Sequence, residues 1–188
     1  MSHIKLIITD FDGTLVDTFQ ANLKAYQQSF SSVGLSLSEE QYKKCFGLRF
    51  ERFMQAMNID NNEVAQRIRQ LKSNFYPKHF NLLKVNEPVL NFIRYFRANG
   101  VKTSVASTAR RKNLVNALTH IGAINDFDLI LAGEDVNNGK PNPEIYNIIM
   151  RHFNASPNET LIFEDSQVGI DAAHASNANY MRIYGINN

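Results

Sequence analysis

At 188 residues the chain is long enough for one well-packed domain, or for one domain carrying a smaller inserted module. Its 44% apolar and 20% charged residues exclude disorder as a starting point, and a net charge of +2 argues for neither a nucleic-acid partner nor a membrane surface. A single cysteine, Cys45, excludes an internal disulfide and a multi-cysteine zinc site.

Residues 4–8 (Ile-Lys-Leu-Ile-Ile) lack the polar alternation of a one-sided sheet, which predicts a short strand covered on both faces. Directly after it comes Thr9-Asp10-Phe11-Asp12-Gly13-Thr14-Leu15-Val16-Asp17-Thr18, with three acids in eight residues from Asp10 to Asp17. Asp10 and Asp12 held close together raise each other's pKa and cost stability unless a cation or a reaction uses them. Asp17 is expected to hydrogen-bond the turn or to cap the helix that follows.

From residue 17 to 84 the pattern is helical throughout. Phe19, Leu23, Tyr26, Phe30 and Val33 form one stripe, Phe53, Met54 and Met57 a second, and Val64, Ile68, Leu71 and Phe75 a third. Ser36 and Ser38 ahead of Glu39 and Glu40 predict a helix start, with Gly34 and Gly47 as stops. A small helical module is therefore expected between the first strand and the rest of the sheet.

Beyond residue 84 strands and helices alternate. Strands are predicted at 101–106, 127–131, 160–163 and 180–184. Helical spacing lies between them, in Val89, Phe92, Ile93 and Phe96; Leu114, Val115 and Leu118; Ile145, Ile148 and Ile149; and an alanine-rich piece over 167–176. This is the α/β pattern of a parallel, Rossmann-like sheet. The expected division is a core of residues 1–16 and 85–188 with an α-helical insert over 17–84. Arg110-Arg111-Lys112 reads as a solvated helix start, and Ser166 as the cap of the helix from Gln167.

In open parallel sheets ligands sit outside the carboxyl ends of the strands. Asp10 and Asp12 follow the first strand, Ser107 and Thr108 the second, and Glu164 and Asp165 the fourth. Carboxylates gathered from separate strand ends suit a hard cation such as Mg2+, with Asp10, Asp165 and the backbone carbonyl of Asp12 as ligands and Glu164 behind them or as an outer ligand through water. Lys140, in Gly139-Lys140-Pro141, adds a fixed positive charge from the loop after the third strand.

The guest that fits a metal, a lysine and the Ser107 hydroxyl is a phosphoryl group. Asp10 would attack phosphorus, and Asp12 would protonate the departing alkoxide and then activate water. Competing readings of the motifs fail. A calcium loop begun at Asp10 would close on Ala21 instead of Glu, and the stretch from Gly133 to Lys140 has one residue too many for a phosphate-binding P-loop. The five histidines show no metal-ligand spacing.

The stretch Asp10-Phe11-Asp12-Gly13-Thr14-Leu15-Val16-Asp17 resembles the first motif of the haloacid dehalogenase-like superfamily. Ser107 in VAST, Lys140 in GKPNPEIY and Glu164-Asp165 in IFEDSQVGIDAAHAS resemble the second, third and fourth, in the same order. The resemblance implies a Rossmann-like core with a helical cap, Mg2+ dependence and hydrolysis of the phosphate monoester of a small metabolite through phospho-aspartate. It extends the substrate-binding set to Gly13, Thr108, Arg110 and Arg49, the last near where relatives place specificity residues.

Within the superfamily an acid at Asp12 marks phosphatases and phosphomutases, whereas dehalogenases lack it. Mutases similar to β-phosphoglucomutase carry a histidine where this chain has Asn22, which favours the phosphatase. A sugar-phosphate mutase and a non-catalytic binding or regulatory protein remain the alternatives. With no secretory-type leader and no membrane-length apolar run, the chain is expected to be cytoplasmic.

Overall fold

A computed structural model describes residues 3–184. In chain order, β1 (Leu6–Thr9) is followed by β2 (Val16–Asp17), α1 (Phe19–Ser31), α2 (Glu39–Cys45), α3 (Phe50–Ala56), α4 (Asn62–Phe75) and a 3-10 stretch, Tyr76–Leu82. Next come β3 (Lys84–Val85), α5 (Glu87–Ala98), β4 (Lys102–Ala106), α6 (Arg111–His120) and β5 (Leu129–Leu131). The last elements are α7 (Glu144–His152), β6 (Thr160–Glu164), α8 (Gln167–Ala175) and β7 (Asn179–Arg182). The five strands β5-β4-β1-β6-β7 form one parallel sheet in that order.

β1 lies at the centre, and all four of its residues are buried, as an uninterrupted apolar run requires. Its register pairs Thr9 with Val105 of β4 and with Phe163 of β6. The residues that next leave these three strands, Asp10, Ser107 and Asp165, therefore emerge at one edge. One apolar cluster joins Leu6, Ile8 and Ile162 of the sheet to Ile145, Tyr146 and Ile149 of α7 and to Ala172 and Ala173 of α8.

The chain divides into two compact units, one made of the residues up to Asp17 with those from Lys84 onward, the other Thr18–Leu83. The second has its own core: Leu23 and Phe30 of α1, Tyr42 of α2, Phe53 and Met54 of α3 and Ile68 of α4. Among its aromatic rings, Tyr26 and Phe53 meet edge to face with centroids 4.9 Å apart. Ser38 caps α2 in a reciprocal box with Gln41.

Both chain crossings between the units run through a two-residue antiparallel ribbon, Val16 paired with Val85 and Asp17 with Lys84. Asp17 thus lies in β2 and not at the head of α1. The N-cap position of α1 falls to Thr18, whose side chain makes no capping bond. No helix among the described residues is long and apolar enough to cross a membrane.

Ile8 is fully buried on the central strand. Ile8→Ala is expected to lower unfolding free energy by about 2–5 kcal/mol through lost burial and a residual cavity, read from the midpoint and slope of urea denaturation.

Candidate active site

The turn after β1 brings its acids together by backbone geometry. The Gly13 N–H donates to Val16 O at 2.8 Å, and the Val16 N–H to Phe11 O at 2.9 Å, folding residues 11–16 back on themselves. Gly13 adopts φ +96°, and a Cβ there would stand 2.3 Å from Asp165 Oδ2. Only glycine allows the first turn and the Asp165 carboxylate to come so close. Thr14, fully buried, donates its hydroxyl to Asp165 Oδ1 at 2.9 Å.

Asp10 is buried, its backbone N–H bonded to Phe163 O at 2.9 Å. Facing it is Lys140, whose side chain is only 3% exposed. The ammonium donates to Asp10 Oδ1 at 2.7 Å, to the Ala106 carbonyl at 3.1 Å and to Glu164 Oε1. Glu164 is completely buried and also accepts the Tyr146 hydroxyl at 2.9 Å. Asp12 is half-buried, and its Oδ2 accepts a 3.4 Å bond from the Ser107 hydroxyl, which itself accepts the Ala109 N–H at 3.0 Å.

Asp10, Glu164 and Asp165 each offer an oxygen within 4.8 Å of the others, an all-oxygen donor set suited to a hard cation. Burial pushes the Asp10 carboxyl well above the usual range; Lys140 opposes this, while Glu164, Asp165 and Asp12 add to it. Asp165 is raised too, by burial first, against the Thr14 hydrogen bond. Burial works against the Lys140 charge, yet Asp10 and Glu164 hold its pKa well above that of an ordinary lysine. Four carboxylates around one ammonium leave the cluster short of positive charge.

The remaining sequence-predicted residues are placed differently. Arg110 is exposed at the N-cap position of α6 and pairs with Glu134 at 3.1 Å. Arg111 bonds Asp135 at 2.5 Å, so both arginines tie the loop after β4 to the loop after β5. In the same place a Cβ on Gly133 would come within 2.4 Å of the Thr108 carbonyl. Arg49 lies in the helical unit, at the N-cap position of α3.

Sequence reasoning missed Thr14 and Tyr146. In the sequence Tyr146 stood only as the last residue of the GKPNPEIY motif, though a buried tyrosine carries a hydroxyl that must find a partner.

The family model of the haloacid dehalogenase-like hydrolases matches residues 7–183. The chain belongs to that family. A phosphorylated carbohydrates phosphatase of Thermotoga maritima is 28% identical over 189 aligned residues, 97% of this chain and 85% of the relative. The crystal structure of CbbY from Rhodobacter sphaeroides in complex with phosphate superposes with a TM-score of 0.86 at 23% identity, covering 97% of this chain and 87% of CbbY. That of β-phosphoglucomutase from Clostridium difficile gives 0.82 at 24%, covering 98% and 86%. These two likenesses establish the fold that this hydrolase shares with both.

Gly13→Ala in this hydrolase is expected to cost about 1–3 kcal/mol, from a left-handed backbone and the displaced Asp165 carboxylate. Thermal unfolding measures it; a melting temperature equal to that of the wild type would contradict the close approach.

Proposed function

We propose that this phosphoric monoester hydrolase is a Mg2+-dependent phosphatase of a small phosphorylated metabolite, acting through a phospho-aspartate on Asp10. The observation that carries the reading is the buried cluster itself: Asp10, Glu164 and Asp165 within 4.8 Å, with Lys140 2.7 Å from Asp10. Such a concentration of buried acid is costly unless it meets a cation and an anionic guest.

The donor set fits Mg2+, for which Asp10, Asp165 and the backbone carbonyl of Asp12 would be the ligands. Bound there, the ion would supply positive charge against the phosphoryl oxygens. Asp10 forms a bond from its carboxylate oxygen to phosphorus as the ester P–O bond breaks. Asp12 gives its proton to the departing alkoxide, then takes one from the water that attacks phosphorus and frees Asp10, releasing inorganic phosphate. Lys140 and Ser107 bind the oxygens of the phosphoryl in transit.

Asp12 suits the proton work because it is half-buried and held by a neutral hydroxyl, whereas Asp10 is buried against an ammonium. The helical unit takes the role of cap and selects the substrate, with Arg49 part of that selection. A phosphorylated carbohydrate is the first class to test, given the Thermotoga relative. A phosphatase is favoured over a mutase by Asn22, whose amide is engaged with Thr18 Oγ1 at 3.0 Å.

With p-nitrophenyl phosphate or acetyl phosphate and Mg2+, phosphate release is expected, abolished by EDTA and reduced by on the order of 10⁴-fold or more in Asp10→Asn. A folded wild-type protein inert across a broad panel of phosphate esters would remove the phosphatase assignment in favour of a binding protein.

A further inference from the structure

β7 ends the sheet at the side opposite β5, and all four of its residues, Asn179–Arg182, are exposed, unlike those of any other strand of that sheet. Of the seven large apolar side chains exposed among the described residues, Tyr180, Met181 and Tyr184 belong to β7 and the stretch just after it, and Phe92 and Tyr95 to α5. An edge strand offers unpaired backbone groups to any strand that can reach it. Of the residues that usually guard such an edge, β7 has neither proline nor lysine, and its one charge is Arg182.

Backbone direction decides what can be added. The Ile183 N–H donates to Glu164 O at 2.7 Å, so Met181 and Asn179, at the same alternation, turn their backbone groups to β6, and Tyr180 and Arg182 turn theirs outward. The faces alternate with the same period. Tyr180 is level with Ile162, which packs on α7 and α8, so Tyr180 and Arg182 stand on that face. Met181 is level with Phe163 and stands on the other face, where Phe163 meets Phe92 of α5 edge to face at 5.4 Å.

A second copy of the chain fits this edge in one register. A two-fold axis normal to the sheet brings two β7 strands together antiparallel, with residues of the same face opposite each other. With Met181 on the axis, Tyr180 lies opposite Arg182 of the second copy and Arg182 opposite its Tyr180. Both outward residues of β7 are then paired, and each pair exchanges two backbone hydrogen bonds. An axis at Tyr180 or at Arg182 leaves only one outward residue of β7 paired with its own counterpart, and at Arg182 it sets like charges against each other. The register centred on Met181 instead sets a guanidinium against a phenol ring twice. Arg182 already leans towards such a partner, its guanidinium carbon 5.7 Å from the Tyr184 ring centroid. On the other face the two Met181 side chains meet and extend the apolar strip of Phe92 and Phe163.

We infer that β7 is the contact edge of a two-fold dimer, paired antiparallel with β7 of a second copy, with Met181 on the axis and Tyr180 against Arg182. The two sheets then run on as one. The inference is independent of the reaction catalysed, because none of these residues belongs to the acidic cluster.

Sedimentation velocity between about 5 and 500 µM is expected to show the wild type passing from monomer to dimer. Tyr180→Lys, which sets a lysine against Arg182 in both pairs, is expected to weaken the dimer about tenfold or more. Tyr180→Glu sets an acid there instead and is expected to dimerise at least as tightly as the wild type at low salt, loosening as salt is added. Dissociation of both variants would mean that Tyr180 faces its own counterpart, and it overturns the register. A wild type that stays monomeric throughout, or a dimer indifferent to both substitutions, overturns the interface.

Amide hydrogen exchange tests the same contact without a variant. The outward amides of Tyr180 and Arg182 are expected to slow as concentration rises through the dimerisation range, while that of Met181, already turned to β6, keeps its rate. A dimer that leaves the Tyr180 and Arg182 amides unprotected is held elsewhere on the chain, and it overturns the proposal.

Discussion

The architecture of the site depends on one buried charge, the Lys140 ammonium among Asp10, Glu164 and the Ala106 carbonyl. With a side chain 3% exposed, it has lost nearly all its water, and only close carboxylates make that tolerable. The reverse holds equally: Asp10 and Glu164 are buried acids whose nearest compensating charge is this lysine. Removing one partner of such a pair typically costs about 3–5 kcal/mol, because the other stays buried and unpaired. The three groups come from the turn after β1, the loop between β5 and α7, and the end of β6, so the pairing also ties together distant segments of the chain.

That convergence follows from strand register. β4, β1 and β6 run in step, and the chain leaves each of them at the same edge of the sheet. Three glycines then permit approaches that any side chain would block: Gly13 against Asp165, Gly169 against Glu164, and Gly133 against the Thr108 carbonyl. The first two bring the carboxylates of the cluster against backbone, and the third closes the loops after β4 and β5 onto each other. The compactness of the cluster is thus a backbone property as much as a side-chain one.

Much of this was legible because it is written in short-range patterns. The uninterrupted apolar run at Leu6 to Ile8 marks a doubly covered strand, the stripes of the helical segment mark its buried faces, and acids directly after strands mark the ligand edge. The ribbon of β2 and β3 was not legible: two residues are too few to show a period, and the partner of Asp17, Lys84 in β3, lies 67 residues on. Arg110 illustrates a second kind of limit. A cation after a strand end looks the same in sequence whether it meets a ligand or, as here, Glu134 from the neighbouring loop. Tyr146, on a buried helix face, and Thr14, in the turn after β1, were hidden for a third reason, since a hydroxyl reveals its importance only with its partner in view.

The placement of two acids side by side, Asp10 and Asp12, is also resolved by environment. Alike in sequence, they differ in surroundings: one is buried, held by an ammonium and raised by burial and its acidic neighbours, the other half-buried and bonded to Ser107. Two carboxylates are suited to different tasks when their surroundings separate them, one for a reaction at phosphorus and the other for protons. Asp12 is the less enclosed of the two, and Asp10 lies deeper, against Lys140. The proposed division of labour therefore needs no additional residue, only the difference in depth that the turn at Gly13 creates.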